Sequence, residues 1–220
     1  MKKSILVLLI SILGISINLE AQTYDFKSLI NGNTIYFKVK NTRNKSVEIV
    51  SELSTLPYYK DNTKKPLGKL ILPDTVIDNG IMYFTNSIGD NAFSNCSEIT
   101  SVTIPSLVVS IGKNAFQNCT SIDSVFFNAE KCKYFGEEKY LAFDGCNNLK
   151  TLVIGDNVTR IPGFAFAGVI SLTTIVANPI NPPKIKGNTF RDVPREISVY
   201  IYYSALENYK EDYFWKEFNN

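Results

Sequence analysis

A nine-residue phrase that occurs twice is the feature of this chain that most limits how it can fold. Residues 88–96 read IGDNAFSNC and residues 111–119 read IGKNAFQNC, so matching letters stand 23 residues apart. The Ala-Phe pair of this phrase recurs with intervals of 23, 27, 23 and 24 residues, and the last copy is degenerate; the copies start at Ala92, Ala115, Ala142, Ala165 and Thr189. A period of about 20 to 29 residues is typical of a solenoid, which stacks one small structural unit many times.

Each of the first four copies is followed by a short run with the composition of a β-strand. Six residues after the phenylalanine, an aliphatic residue opens the runs ITSVTI, IDSVFF, LKTLVI and LTTIVA. One such unit cannot enclose a core alone, so its alanine, phenylalanine, cysteine and aliphatic positions must be buried by neighbouring units. The sequence therefore predicts a β-rich repeat solenoid of about five units, with parallel strands stacked about 4.8 Å apart.

The segment before the repeats reads as a cap. Residues 22–69 contain strand-like runs separated by turn signals at residues 31–32 (NG) and 42–44 (TRN), which predicts a β-hairpin cap. The repeats then occupy residues 70–193, interrupted near their start by a second hairpin signal at residues 78–80 (DNG). A solenoid exposes its end coil, so a β element that covers this end is physically expected.

The segment after the repeats, residues 194–220, also reads as a cap. It combines a strand-like run at residues 197–202 with a predicted helix. Ser204 and Glu207 have the spacing of a capping box, which would start that helix. Its aromatic side would close the core, and an aromatic platform for a sugar or peptide is the alternative; the residues expected on one helical face are Leu206, Tyr209, Tyr213 and Phe214.

Residues 1–21 have the build of a secretory signal peptide. Two lysines precede an apolar run, and Ala21 offers a small residue at the cleavage point. The apolar run is shorter than the roughly 20 residues that span a bilayer. We therefore expect a secreted, periplasmic or cell-surface protein without a membrane span, and a buried first helix is the alternative.

The charge and the absence of histidine exclude several classes of function. The formal net charge is +2, which lacks the dense basic footprint that nucleic acid requires. With no histidine in the chain, Ser-His and Cys-His nucleophile pairs and imidazole metal ligands are impossible. We predict no nucleic-acid partner, no cofactor, no metal site and no catalytic residues, and a monomer.

The cysteines fall into two groups. Cys96, Cys119 and Cys146 share one repeat position, where the fourth and fifth units carry valine. Neighbouring copies of this position are close enough for a disulfide, but their side chains should point in parallel into the core, and valine cannot bridge. We predict unpaired, buried cysteines that act as small hydrophobic residues. Cys132 lies outside this position and is a candidate exposed thiol.

The motif AFxxC, followed by LxxLxL and an IP or IG corner, resembles the BspA-type leucine-rich repeats of secreted and surface bacterial proteins. The resemblance covers about residues 70–220, and the last two units depart from it by carrying valine in the cysteine place. It implies a leucine-rich-repeat-like, right-handed superhelix and a role in adhesion to host or matrix proteins or to other cells. It implies no catalytic site.

The outer face of the predicted strand stack is the first candidate binding region. Residues that alternate with the core set form two rows, Ser101, Ser124, Thr151 and Thr174 beside Thr103, Phe126, Val153 and Val176. An apolar row on an exposed face indicates a partner surface. Ordinary strand propensity of β-branched residues is the competing explanation.

The 27-residue interval contains the second candidate region. Its four extra residues fall within residues 128–140, where the usual Ile-Gly corner is missing and Tyr134 and Phe135 stand among charged side chains. Loops that bulge from a repeat often serve recognition, and a tolerated surface insertion is the competing explanation.

These features predict a non-enzymatic binding module for a protein or glycan ligand. A structural or accessory subunit of a surface assembly is the first alternative. A glycosidase is the second, but it requires two carboxyl groups about 5 to 9.5 Å apart in a cleft. The acids of the repeats fall on predicted turns without any sign of a cleft.

Overall fold

The computed structural model of the protein describes residues 22–218. The predicted signal peptide lies outside these residues. Thirteen strands form a seven-stranded and a six-stranded sheet around one hydrophobic core. In chain order the strands are β1 (Phe26–Ile30), β2 (Asn33–Asn41), β3 (Ser46–Val50), β4 (Gly68–Ile71), β5 (Thr75–Asp78), β6 (Ile81–Ile88), β7 (Ile99–Ile104), β8 (Ser110–Ile111), β9 (Ser124–Phe127), β10 (Tyr134–Phe135), β11 (Thr151–Ile154), β12 (Thr174–Ala177) and β13 (Ser198–Ile201).

The six-stranded sheet is the strand stack that the repeat predicts. Its order is β4-β7-β9-β11-β12-β13, and every neighbouring pair is parallel. The core positions of successive units stand directly opposite each other, in the series Leu70, Val102, Val125, Leu152, Ile175 and Val199. The predicted solenoid and its register are confirmed.

The seven-stranded sheet joins the N-terminal cap to the second side of the solenoid. Strands β1, β2 and β3 form an antiparallel meander, and β3 pairs in parallel with β6. Strand β6 in turn pairs in parallel with β8, and β8 with β10. The predicted hairpin cap is confirmed. Asn31-Gly32 and Asn79-Gly80 form two-residue turns in which both residues have positive φ, the geometry that matches strand twist in a tight hairpin.

The repeated phrase supplies the corner of each coil. In the first two units, asparagines flank the Ala-Phe pair at Asn91 and Asn95, then at Asn114 and Asn118, and all four adopt positive φ between 53° and 61°. Asparagine enters this left-handed region more readily than other residues with side chains. The chain can therefore turn sharply on both sides of the buried alanine and phenylalanine, which explains why the phrase is repeated.

The phenylalanines of the five units stack along the solenoid axis. Successive rings lie 5.0 to 5.8 Å apart, with 9° to 14° between their planes; the column consists of Phe93, Phe116, Phe143, Phe166 and Phe190. Each ring contacts the ring of the next coil, so the aromatic surface that one unit exposes is covered by its neighbour.

The repeat cysteines are buried and free, as the prediction of small core residues requires. Each of the second and third thiols donates a hydrogen bond to a phenylalanine carbonyl of the preceding coil: Cys119 Sγ to Phe93 O and Cys146 Sγ to Phe116 O, both at 3.1 Å. Burial raises the pKa of Cys96 and Cys146 to about 12 and raises that of Cys119 well above its ordinary value. These thiols are neutral packing groups at physiological pH.

Cys132 corrects the expectation of an exposed thiol. It is fully buried, its Sγ lies 3.4 Å from the carbonyl oxygen of Tyr134, and burial raises its pKa to about 12. The chain turns into β10 directly after Cys132, and this pairing draws the side chain into the core. A buried, protonated thiol is a poor nucleophile.

The C-terminal cap contains a strand and a helix, but the helix differs from the prediction. Helix α1 spans only Leu206–Glu211; Ala205 is its N-cap, and Ser204 makes no capping hydrogen bond. Asp212 then adopts an extended conformation, and its Oδ1 accepts hydrogen bonds from the backbone N–H groups of Phe214 and Trp215. The helix therefore ends before Tyr213, which is exposed, while Trp215 and Phe218 close the core.

Candidate binding surface

The outer face of the six-stranded sheet contains the two rows that the sequence predicts. Strand pairing places Ser101, Ser124, Thr151 and Thr174 opposite one another in one row, and Thr103, Phe126, Val153 and Val176 in the other. The inward residues between them are completely buried, which fixes the backbone of these strands. We call this surface the outer sheet face.

Both rows extend one strand further at each end than the repeat alignment predicts. Lys69 and Ser198 continue the polar row, and Ile71 and Tyr200 continue the apolar row. A signal for this extension was present in the sequence. Leu70 aligns with Val102, so Ile71 aligns with Thr103, and Val199 follows Phe190 by the interval that separates Ile175 from Phe166.

The apolar row is accessible along its length. Ile71, Phe126 and Tyr200 are 48%, 38% and 60% exposed, and the threonine and valines between them are half-buried. Two shallow depressions of about 520 and 550 Å³ lie on this face, and both are lined by Ile71, Thr103 and Phe126. The ring of Phe126 thus borders both depressions, and exposed aromatic rings of this kind are frequent anchors in protein interfaces.

Carboxylates border the larger depression. Asp74, Glu130 and Asp156 belong to the loops that follow β4, β9 and β11, and no lysine or arginine is among the residues that line it. The Asp74 carboxylate also accepts hydrogen bonds from Ser106 Oγ (3.0 Å) and Leu107 N (3.1 Å), which orders this edge. The surface therefore offers apolar contacts in its centre and hydrogen-bond acceptors along one side. Within residues 22–218 no group of acidic or cysteine side chains could hold a metal ion.

The inserted segment differs from the prediction in two ways. The Ile-Gly corner is not missing, because Phe135-Gly136 takes its place, and Phe135 pairs with Ile111. Phe135 is buried between the rings of Phe143 and Phe166, with centroids at 5.9 and 5.4 Å. The expectation that Phe135 lies at a binding surface is therefore wrong: a larger hydrophobic residue has replaced the isoleucine of the repeat.

Tyr134 remains at the surface, where it is 70% exposed. It belongs to the seven-stranded sheet, so the structure does not join it to the outer sheet face. Most of the extra residues follow the corner. In this bulge Glu137 forms an exposed ion pair with Lys113 of the second unit (3.1 Å), and Glu138 forms one with Arg191 of the fifth (2.7 Å). The two regions predicted from sequence are thus separate surfaces.

No helix in the part of the chain that the structure describes is long and apolar enough to cross a bilayer.

Solved structures of several bacterial leucine-rich repeat proteins are similar in fold. A leucine rich cell surface protein of Faecalibacterium prausnitzii is 20% identical with a TM-score of 0.41, over 80% of this chain and 50% of that one, so this chain spans half of that protein's length. A leucine-rich repeat protein of Bacteroides capillosus is 20% identical with a TM-score of 0.40, over 80% of this chain and 97% of that one. The T. pallidum leucine-rich repeat protein is 16% identical over 75% of this chain and 82% of that one, with a TM-score of 0.41.

The curated proteins contain no match to this sequence. The sequence model of the BspA type leucine rich repeat region matches residues 81–196 with six copies of the repeat. This match covers more than half of the chain and coincides with the stacked coils described above. Proteins with this repeat and fold are typically non-enzymatic binding modules of the bacterial surface. The chain belongs to the BspA-type leucine-rich repeat family.

Proposed function

We propose that this chain is a non-enzymatic, exported binding module that binds a protein or glycan ligand on the outer sheet face. The observation that carries the proposal is the continuous apolar row from Ile71 to Tyr200, which crosses six strands in register and stays accessible. Contiguous apolar patches on exposed surfaces mark interaction sites.

The rigidity of the sheet supports this proposal. In the central strands each outer residue alternates with residues that are completely buried, for example Phe126 between Val125 and Phe127. The outer side chains therefore start from a fixed backbone, and a ligand orders few additional groups when it binds. Aromatic residues such as Phe126 and Tyr200 supply contact area at low entropic cost.

The edge of the face suits a ligand that combines apolar groups with hydrogen-bond donors. Asp74, Glu130 and Asp156 present acceptors beside the apolar row, and the serine and threonine row can both donate and accept. Protein surfaces and glycans each offer this combination. Export through residues 1–21, monomeric behaviour and a role in adhesion belong to the same proposal, as does an independent contact at Tyr134.

The proposal is tested by first screening the purified chain against matrix proteins and a glycan array. Hits are then repeated with the double variant Phe126→Glu and Val153→Lys. Both side chains point outward, so we expect the fold to persist while affinity falls at least about tenfold, because the variant places charges where the ligand removes water.

The matched control is Ile170→Glu, which changes an exposed residue that lines neither depression. This variant should bind like the unaltered protein. Circular dichroism and melting temperature establish that both variants are folded. If the double variant retains full affinity, the outer sheet face is not the binding site. Turnover of a glycan on the array would contradict the non-enzymatic assignment.

A further inference from the structure

The C-terminal edge of the six-stranded sheet is a second, unassigned surface, and it is not part of the outer sheet face. Strand β13 is the last strand of the sheet, and its core-side residues are Val199 and Ile201. In each of the strands β7, β9, β11 and β12, the two equivalent residues are completely buried or nearly so. Val199 and Ile201 are only half-buried, because no further coil stacks on them within residues 22–218.

The C-terminal cap covers the phenylalanine column but leaves this strand open. Trp215 and Phe218 pack against Phe190, with ring centroids at 6.0 and 5.5 Å. Between these aromatic rings and β13 lies a depression of about 390 Å³, whose floor includes Val199 and Ile201. Its surface is predominantly apolar, so it can accept apolar side chains.

The backbone of β13 has hydrogen-bonding groups free on this edge. The N–H of Ser198 donates to the carbonyl of Thr173 at 2.9 Å, which directs the peptide groups of Ser198 and Tyr200 toward β12. Peptide groups alternate in direction along a strand, so those of Val199 and Ile201 point outward. Outside the pairing with β12, neither N–H donates a hydrogen bond to any group in residues 22–218.

Strand β13 also lacks the features that usually protect an edge from pairing. Natural edge strands carry charges or proline, or are very short. Among the end strands of the two described sheets, β1 contains Lys27, β4 contains Lys69, and β10 has only two residues. Strand β13 has four residues, Ser198–Ile201, with neither a charge nor a proline.

The charges beside the depression indicate what would occupy it. Lys210 and Lys216 are the only charged residues that line it, and no carboxylate does. Lys210 Nζ lies 3.5 Å from Glu207 Oε1, and Lys216 Nζ lies 5.3 Å from the centroid of the Tyr213 ring. Both lysines are exposed, so their ammonium groups stay in contact with solvent. A negatively charged group at the end of an added strand would be attracted to them.

We propose that β13 accepts an extended peptide segment of another protein, which adds as a further strand, places alternate apolar side chains over Val199 and Ile201, and directs an acidic residue to Lys210 and Lys216. Backbone hydrogen bonds would give affinity, and the apolar and acidic positions would give selectivity. A second copy of this chain fits less well, because Glu196, the acidic residue that precedes its β13, stands beside Arg195, and the two charges offset each other.

The probes are two labelled eight-residue peptides in which threonine and valine alternate at the six inner positions. One peptide has a glutamate at each end, and the other has a lysine at each end. Fluorescence anisotropy with the purified full chain measures their affinities. We expect the glutamate peptide to bind about tenfold more tightly than the lysine peptide. The proposal is overturned if neither peptide binds or if both bind equally.

Two variants separate strand addition from adhesion to an apolar surface. Val199→Pro removes an outward N–H that has no partner within the described chain, and proline is tolerated where the N–H of an edge strand faces solvent. It should weaken the glutamate peptide about tenfold with little change in melting temperature. Unchanged binding by a folded Val199→Pro variant would show that β13 does not pair.

The second variant, Lys210→Glu with Lys216→Glu, changes only exposed residues and should reverse the preference between the two peptides. If the preference persists, the lysines do not select the ligand and the proposal fails. The double variant of the outer sheet face, Phe126→Glu with Val153→Lys, should keep its peptide affinity, so the two proposals can fail separately. A concentration-dependent dimer that Val199→Pro abolishes would instead identify a second copy as the occupant.

Discussion

The two ends of the solenoid close the same core in different ways. At the N-terminal end, Tyr59 is buried and its hydroxyl donates to the carbonyl of Ala92 at 2.6 Å, while Asn33 bonds both the N–H and the carbonyl of Leu67. At the C-terminal end, aromatic side chains cover the phenylalanine column and leave the strand edge half-open. A cap can therefore complete a core without completing the sheet that encloses it.

The difference follows from which sheet each cap extends. The N-terminal meander continues the seven-stranded sheet through β3 and β6, so backbone pairing connects the cap to the coils. The C-terminal cap adds one strand to the six-stranded sheet and then packs by side chains alone. Backbone pairing distributes the closure over many hydrogen bonds, whereas the aromatic closure depends on a few rings.

The largest effect expected of a single substitution is the loss of the ring that closes the N-terminal end. Tyr59→Ala should lower the free energy of unfolding by about 4 kcal/mol, because it leaves a large cavity and an unpaired carbonyl at Ala92. Denaturation in urea measures this change. Tyr203→Ala is the matched control, since Tyr203 is 91% exposed and should cost less than about 0.5 kcal/mol. If both substitutions lowered the free energy of unfolding equally, Tyr59 would not be the residue that closes this end.

Alkaline pH should weaken the N-terminal coils before the C-terminal ones. The thiols of Cys96, Cys119 and Cys146 have ordinary pKa values of 9.0, which burial raises in the folded chain. Above pH 9 the unfolded chain loses these protons while the folded chain keeps them. The free energy of unfolding then falls as the pH rises, by about 1.4 kcal/mol per pH unit for each thiol that ionises only in the unfolded chain.

Hydrogen exchange between pH 8 and 11 tests this expectation, after correction for the intrinsic pH dependence of exchange. Protection should be lost first in β7 and β9, because the last two units carry valine in the cysteine position. Cys119→Val copies those units and should reduce the pH dependence while changing stability at pH 7 by less than about 1.5 kcal/mol. If protection were lost uniformly along the chain, the expectation that the cysteine-containing coils weaken first would be wrong.

The smallest of these effects is expected from removing one buried tyrosine hydroxyl at each end of the solenoid. Tyr59 donates to Ala92 at 2.6 Å, and Tyr209 in the C-terminal cap donates to Pro179 at 3.1 Å. Tyr59→Phe should cost about 1.5 kcal/mol and Tyr209→Phe about 1 kcal/mol, since each leaves a buried carbonyl without its donor. Thermal denaturation compares them, and a larger loss for Tyr209→Phe would reverse the proposed order of the two ends.

The repeat period made the central fold predictable. Once the Ala-Phe pairs are aligned, the register of Val102, Val125, Leu152 and Ile175 follows, and with it the rows of the outer sheet face. These features depend on periodicity, which a single sequence displays directly. The positions of Phe126 and Val153 on one exposed row could therefore be stated before any coordinates.

The parts that escaped prediction depend on contacts between residues distant in sequence. Phe135 looks exposed among charged neighbours, yet pairing with Ile111 places it in the corner position and buries Cys132 beside it. The early end of the C-terminal helix is a local exception: the Asp212 carboxylate accepts hydrogen bonds from the backbone N–H groups of Phe214 and Trp215. The open edge at β13 could not be foreseen, because it depends on how the aromatic residues fold back.

The phenylalanine column bears on how proteins of this type can change in size. Within the column, each ring stacks on the column ring before it and the one after it, so the stack has no preferred length. Duplicating one 23-residue segment would lengthen it by one ring and leave every existing stack unchanged, whereas inserting a fraction of a unit would break both register and column. Growth and shrinkage in whole repeats are thus the changes that this architecture tolerates at least cost to folding.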